Sequence, residues 1–195
     1  MKIGLYGGTF NPIHNAHLII AEIICDELDL DRMYFIPTAQ PPHRKKDRSI
    51  ISVKFRLDMV KLAIQDNKRF ELSTIEADND NVSYTVDTVK HFSEKFRLDR
   101  SGLFFVLGED NLKILSKWKD PDRISELSTI VVAGRTSEDI KNIPEKIGSF
   151  LVPKTPIIRI SASLIRKRLK ESRSVKYLVP DSVEKYIIEN NLYGD

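Results

Sequence analysis

Apolar residues in this chain occur in two patterns, short continuous runs and helical spacings, which alternate along its length. Continuous runs bounded by glycine or proline are typical of strands buried on both faces of a parallel sheet. Between these runs, apolar residues recur every three or four positions, as at Val53, Leu57, Val60 and Ile64, which predicts amphipathic helices. The runs themselves predict strands over residues 3–6, 33–36, 70–73, 103–107, 128–133 and 150–152.

This alternation of strands and helices determines the expected fold class. It predicts an α/β fold, Rossmann-like and doubly wound, with a mainly parallel sheet of about five or six strands and helices on both faces. At 195 residues the chain is expected to form a single domain, residues 1–195. Open sheets of this class bind ligands at the carboxyl ends of their strands, so chemistry is expected just after the apolar runs.

Composition narrows the class further. Hydrophobic residues make up 41% and charged residues 30% of the chain, as in soluble globular proteins. No run approaches the ~18 apolar residues of a membrane span, so a cytoplasmic protein with no membrane partner is expected. A net charge of +3 suits an anionic substrate but is too mild to indicate a nucleic-acid partner. The single cysteine, Cys25, excludes an internal disulfide and is expected in the core.

Residues 2–17 carry the first concentration of chemistry. Gly7 and Gly8 end the first apolar run, and a helical pattern begins around His14 and His17. A helix start offers unpaired N–H groups and the positive end of the dipole, and glycine lets an anion approach the main chain. Histidines three positions apart turn both rings toward one opening. The pattern predicts a phosphate site, and the alternative for His17 is a buried structural histidine at the head of an apolar stripe.

Other interpretations of this stretch have less support. No Gly-Lys-Ser/Thr follows, so it is not a Walker loop, and the glycine spacing does not match a dinucleotide fingerprint. A zinc pair would need further ligands, and His43, His91 and Cys25 lack ligand spacing. No metal bound by the protein alone is predicted.

A second candidate anion site lies near the carboxyl end of the sequence. Ser161 can cap a helix, which would leave Ser163 and Arg166 one turn apart on one face. Hydroxyls, free N–H groups and a guanidinium together favour an anion. An ordinary serine cap is the alternative.

Three further stretches are candidates for substrate contacts. Residues 37–49 lack apolar periodicity and are strongly basic, which is typical of a functional loop or of a solvated one. Residues 83–85 begin a helix, with Ser83 or Thr85 as the simple cap. Trp118, the only tryptophan, lies in a charged stretch and can pack on a neighbouring loop.

The sequence GGTFNPIHNAHL resembles the signature of the nucleotidyltransferase superfamily, which is His or Thr, any residue, Gly, His after a glycine-rich strand end. Its GGTF and PIH elements resemble the bacterial nicotinate-nucleotide adenylyltransferases, which make deamido-NAD from nicotinate mononucleotide and ATP. The later stretch ISASLIR is similar to the superfamily motif Ile-Ser-x-Thr/Ser-x-x-Arg. Two positions depart from the pattern, since Asn11 stands where Asp is common and Ala16 where the family has Gly.

The resemblance implies a role for each motif. His14 and His17 would bind the α- and β-phosphates of ATP, Ser163 and Arg166 the β- and γ-phosphates, and Mg²⁺ the departing pyrophosphate; these four residues form the implied catalytic set. Asp110 would accept a ribose hydroxyl, whereas Glu109 departs from the small residue usual there. The other implied ATP contacts are Gly7, Gly8, Thr9, Phe10, Gly108, Ile160 and Ser161. The implied contacts to the acceptor nucleotide are His43, Arg44, Lys45, Tyr84, Thr85, Arg135 and, as a platform for the pyridine ring, Trp118.

Adenylyl transfer from ATP to nicotinate mononucleotide is therefore the expected function. Alternatives are another phosphomonoester acceptor, such as nicotinamide mononucleotide or phosphopantetheine, and a nucleotide- or RNA-binding domain without activity. An aliphatic acceptor needs no ring platform, and a simple binder needs no second phosphate motif. A homo-oligomer remains an open alternative.

Overall fold

The computed structural model describes residues 1–39, 49–78, 83–108, 111, 114–133 and 149–194. Within these ranges all strands belong to one sheet, and every neighbouring pair is parallel. The strands are β1 (Ile3–Gly8), β2 (Arg32–Pro37), β3 (Phe70–Leu72), β4 (Leu103–Gly108), β5 (Thr129–Ala133) and β6 (Phe150–Leu151). Their order in the sheet is β3-β2-β1-β4-β5-β6, which confirms the predicted α/β, doubly wound architecture.

Helices cover both faces of the sheet. Those in the described ranges are α1 (Asn15–Glu27), α2 (Val53–Ile64), α3 (Thr85–Phe96), α4 (Pro121–Leu127), α5 (Ala162–Lys170) and α6 (Asp181–Glu189), with a 3-10 turn at Leu115–Lys117. Buried residues of α1, α2, α5 and α6 form one core cluster, and those of α3 and α4 form a second. Alternate residues of β4 pack into these two clusters: Phe104 and Val106 join the first, and Phe105 joins the second. This packing confirms that the apolar run of β4 is a strand covered on both sides.

Small differences from the predicted boundaries have local causes. β1 continues through Gly7 and Gly8, which pair with Ile36 and Pro37 of β2. Ser128 is not a strand residue, because it ends α4 and its hydroxyl donates to the Ile124 carbonyl at 2.8 Å.

Cys25 is fully buried with a free thiol, as predicted for a core residue. In the described ranges, no helix is long and apolar enough to cross a membrane.

The order of the strands in the sheet determines where a ligand-binding crevice is expected. The chain leaves β1 for α1 on one face, whereas α4, which follows β4 in the described ranges, packs on the other face. β1 and β4 are neighbours, so their carboxyl ends diverge at a topological switch point, where sheets of this type form a crevice.

Candidate active site

A cleft of about 670 Å³ opens at this switch point. That volume is typical of small-molecule sites. The predicted site residues that line it are Gly7, Gly8, Thr9, Phe10, His14, His17, Tyr84, Thr85, Gly108, Trp118, Ile160, Ser161, Ser163 and Arg166. The predicted contacts His43, Arg44, Lys45, Asp110 and Arg135 lie outside the described residues, as does Glu109. Residues far apart in the sequence thus share one cavity.

His14 and His17 form a stacked pair at the start of α1. Their ring centroids are 3.6 Å apart with an interplanar angle of 17°. The backbone N–H of His14 donates to Nδ1 of His17 at 3.2 Å, so a neutral His17 carries its proton on Nε2. Nδ1 of His14 is buried and has no hydrogen-bond partner among the described residues. An unpaired buried polar atom of this kind in a cleft indicates a ligand site.

Burial keeps both imidazoles neutral. It lowers the pKa of His14 to about 4. Burial, and secondarily the neighbouring His14, lower the pKa of His17 well below its usual value. At neutral pH the pair therefore offers hydrogen-bond donors without a charge of its own, and an anion would raise both pKa values.

This burial predicts acid sensitivity. The folded-state pKa of His14 lies below its unfolded value of 6.5, so the unfolded chain binds more protons between pH 6.5 and about 4. The contribution of His14 to the free energy of unfolding is therefore fully present above pH 6.5 and is lost as the pH falls toward 4. Between these two pKa values the loss is about 1.4 kcal/mol per pH unit. When urea unfolding is measured across this pH range, the free energy of unfolding should depend less steeply on pH for His14→Asn than for wild type. The exposed-site control His91→Asn should follow wild type, and equal slopes for all three would contradict the interpretation.

The second predicted cradle forms at the start of α5. The Ser161 hydroxyl accepts the Leu164 N–H at 3.2 Å, which confirms the predicted cap. Nη2 of Arg166 lies 3.5 Å from the Ser163 hydroxyl, and Nη1 donates to the Asn11 carbonyl at 2.8 Å. The two motifs therefore meet through a direct hydrogen bond across the cleft wall.

The two residues that depart from the family pattern, Asn11 and Ala16, are both buried beside the cleft. Asn11 is buried, and its Oδ1 accepts from the Ile51 N–H at 3.3 Å and from the Tyr193 hydroxyl at 2.9 Å. Its Nδ2 donates to the Ser49 carbonyl at 2.9 Å, a bond that an aspartate could not make. Ala16 is buried in the first turn of α1 and lines the cleft, so its methyl group narrows the space beside the histidines.

Gly8 lines the cleft and also makes room for an aromatic ring. A Cβ at Gly8 would lie 2.9 Å from the Phe10 ring, closer than real contacts allow, so the absent side chain admits this ring. Phe10 in turn packs edge-on against His17, with centroids 5.1 Å apart. Gly7 has ordinary space, since the nearest atom to a Cβ there is 3.7 Å away.

The acceptor side of the cleft contains the α3 start and Trp118. The predicted serine or threonine cap is wrong: Tyr84 is the N-cap and makes no side-chain cap, and the Ser83 hydroxyl donates to the Glu76 carbonyl at 3.2 Å. Trp118 is half-buried and packs edge-on against Phe105, with centroids 6.1 Å apart. Its Nε1 is buried and has no partner among the described residues.

Sequence reasoning missed Glu76, a buried carboxyl that also lines the cleft. Thr88 donates to its Oε1 at 3.0 Å, and burial raises the pKa of Glu76. Thr38, just after β2, hydrogen-bonds the same carboxyl. Thr38 follows β2 and Glu76 follows β3 at the ligand-binding edge of the sheet, so the expectation of chemistry just after the apolar runs could have found both residues.

Comparison with known proteins shows which family the chain belongs to. The profile described as cytidylyltransferase-like matches residues 5–168. The chain belongs to that family. Members named probable nicotinate-nucleotide adenylyltransferase include the Dictyoglomus thermophilum protein, 43% identical over 99% of this chain and all of the relative. A Thermus thermophilus protein of the same name is 38% identical, again over 99% of this chain and all of the relative.

Solved structures of other proteins share this fold. The nicotinic acid mononucleotide adenylyltransferase of Plasmodium falciparum, complexed with NaAD, superposes with a TM-score of 0.78 at 22% identity, covering 98% of this chain and 97% of that one. Its complex with APC gives a TM-score of 0.75 at 22% identity, covering 98% and 96%.

Proposed function

We propose that this chain transfers the adenylyl group of ATP to the phosphate of nicotinate mononucleotide, producing deamido-NAD and pyrophosphate. The observation that carries the proposal is the junction of two phosphate cradles, in which Arg166 of α5 bonds the Asn11 carbonyl beside the histidine pair. The same cleft is lined by an indole and by a helix start, groups suited to a pyridine carboxylate. Full-length relatives that carry the corresponding enzyme name support it.

The reaction needs no nucleophile from the protein. A phosphate oxygen of the mononucleotide attacks the α-phosphorus of ATP, and the bond from that phosphorus to the pyrophosphate oxygen breaks with its electron pair. Because a phosphate monoester is already anionic at neutral pH, the side chains serve to position the reactants and to stabilise charge. His17 offers its Nε2–H and Arg166 its guanidinium to phosphate oxygens, and the Ser163 hydroxyl adds a third donor.

We propose that ATP binds as its magnesium complex. Among the described residues, the two helix starts supply imidazoles, hydroxyls and a guanidinium, whereas Mg²⁺ takes oxygen ligands, carboxylates above all. The ion is therefore expected to be held by phosphate oxygens and water, and to leave with pyrophosphate.

Recognition of the acid form follows from the start of α3. Within the described part of the chain, the Thr85 N–H has no hydrogen-bond acceptor, and Thr85 lines the cleft. A helix N-terminus favours a carboxylate over a neutral amide. We infer that nicotinate mononucleotide is preferred over nicotinamide mononucleotide, and that an aliphatic acceptor such as phosphopantetheine would leave the indole unused.

The single tryptophan provides a direct test of acceptor binding. Because Trp118 is the only tryptophan in the chain, tryptophan fluorescence, excited where tyrosine does not absorb, reports on this cleft alone. Titration with nicotinate mononucleotide should quench the emission in a saturable way, while phosphopantetheine should leave it unchanged. Constant emission at nicotinate mononucleotide concentrations that saturate turnover would contradict a pyridine site at Trp118.

Replacing Trp118 by alanine is expected to raise KM about 10-fold for both the acid and the amide mononucleotide, because stacking does not sense the carboxylate. KM for ATP should stay unchanged. Steady-state kinetics with each substrate varied in turn give the KM values that test this. A variant with a raised KM for ATP alone would place Trp118 in the ATP part of the cleft and contradict the prediction.

A further inference from the structure

Arg56 is a charged side chain buried where no substrate is expected to touch it. It lies in the first turn of α2 with 1% of its surface exposed. Its guanidinium donates to three backbone carbonyls, Nη1 to Thr9 at 2.8 Å, Nη2 to Ala39 at 3.0 Å and Nε to Ile51 at 3.2 Å. Among the described residues it has no carboxylate partner. Burying a charge without a counter-charge is costly, and the hydrogen bonds to three backbone carbonyls offset part of that cost.

The three carbonyls belong to segments at the ligand-binding edge of the sheet. Thr9 lies in the loop between β1 and α1 and lines the cleft. Ala39 follows β2, and Ile51 precedes α2. One side chain therefore joins the phosphate loop to both sides of the next βα connection.

The bond to Thr9 has a consequence for the residue after it. In a planar trans peptide the C=O and the following N–H point in opposite directions, so holding the Thr9 carbonyl toward Arg56 turns the Phe10 N–H away from it. Phe10 has a φ of 46°, a left-handed conformation that a bulky residue keeps only when its surroundings impose it. Among the described residues the Phe10 N–H has no acceptor, and the Phe10 ring packs against His17.

A second hydrogen-bond hub supports the same arrangement. The Ile51 carbonyl accepts a hydrogen bond from Arg56, and the Ile51 N–H donates one to the Asn11 side chain. The backbone carbonyl of Asn11 in turn accepts a hydrogen bond from Arg166. Arg56 and Asn11 thus both tie the phosphate loop to Ile51, just before α2.

We propose that Arg56 is a positioning residue for the triphosphate: it holds the Thr9–Phe10 peptide with its N–H toward the phosphates and keeps a positive charge beneath the loop. The inference rests on the proposed function, since it assigns the phosphate end of ATP to this loop. Arg56 itself does not touch the substrate.

The test compares three variants. Arg56→Met removes the charge and all three bonds, and Arg56→Lys keeps the charge but cannot reach three carbonyls. Val60→Ala is the matched control, because it leaves a cavity one turn further along α2 at a residue that is fully buried and does not line the cleft. Calorimetry at low and moderate salt gives the dissociation constants for ATP, inorganic tripolyphosphate and adenosine, and thermal unfolding is followed for each variant.

We expect Arg56→Met to weaken binding of ATP and tripolyphosphate about 10- to 100-fold at low salt, and less at moderate salt, with adenosine unaffected. Arg56→Lys should lose less, because its charge remains. Val60→Ala should lose thermal stability with no change in tripolyphosphate binding.

Unchanged tripolyphosphate affinity in a folded Arg56→Met overturns the proposal, as does an equal loss of adenosine affinity. If Arg56→Met does not fold, unchanged affinity in Arg56→Lys has the same force. The outcome is independent of the acceptor: a wild-type protein that binds ATP without adenylylating nicotinate mononucleotide would refute the proposed function and leave this test intact.

Discussion

Replacing His17 by alanine is expected to lower kcat for adenylyl transfer about 10²- to 10³-fold, the usual cost of losing one donor to transition-state charge. His17 is suited to this task because the His14 N–H occupies its Nδ1 and leaves Nε2–H as the donor. Its contact with Phe10 holds the ring in place before substrate arrives. The pKa of His17 is depressed by burial, so the donor is a neutral imidazole whose interaction strengthens as charge develops on the phosphate.

Single-turnover kinetics with saturating MgATP separate this effect from binding. His91→Ala is the matched control, since His91 lies exposed on α3 and is not among the cleft residues. Thermal unfolding of both variants shows whether α1 still forms. Wild-type turnover in a folded His17→Ala protein would mean that this histidine serves only the core.

Replacing Arg166 by lysine is expected to lower kcat/KM for ATP about 10- to 100-fold, although the charge is kept. In the structure one arm of the guanidinium binds the Asn11 carbonyl at 2.8 Å, and the other lies 3.5 Å from the Ser163 hydroxyl. A lysine ammonium cannot hold the loop and present a second, fixed donor to a phosphate at the same time.

Arg168→Lys on the same helix provides the comparison, because its Nε donates to the Ser174 carbonyl at 2.7 Å and it is not a cleft residue. Steady-state kinetics with ATP varied should distinguish the two substitutions. A loss of thermal stability with normal ATP kinetics in Arg166→Lys would make that arginine structural.

Local patterns made most of the fold predictable. The run from Leu103 to Leu107 has to be buried on both faces, because every residue in it is apolar, and the helical spacing from Val53 to Ile64 needs no tertiary information. The same holds for the Ser161 cap, which depends on a side chain and an N–H three residues apart. Boundaries failed where a polar residue had two options, as at Ser128, which caps a helix although it adjoins a strand.

The candidate site was predictable where its chemistry is carried by short motifs, and not where it depends on distant contacts. The histidine pair and the Ser163–Arg166 pair could each be recognised from spacing, but the bond between Arg166 and Asn11 joins residues 155 positions apart. Arg56 lies in an amphipathic helix, where a charged residue ordinarily indicates the exposed face. Its burial follows from three carbonyls that only the folded loops bring together.

The central claim is adenylyl transfer to nicotinate mononucleotide, and the most direct test is the rate of dinucleotide and pyrophosphate formation from MgATP with a panel of acceptors. The wild-type protein should use nicotinate mononucleotide with a kcat/KM up to about a hundredfold above that for nicotinamide mononucleotide, since each charge-assisted N–H bond to the carboxylate contributes about 1.5 to 3 kcal/mol. Phosphopantetheine should give no product, and pyrophosphate and dinucleotide should form in equal amounts. Equal use of the acid and amide mononucleotides, or faster transfer to phosphopantetheine, would contradict the account.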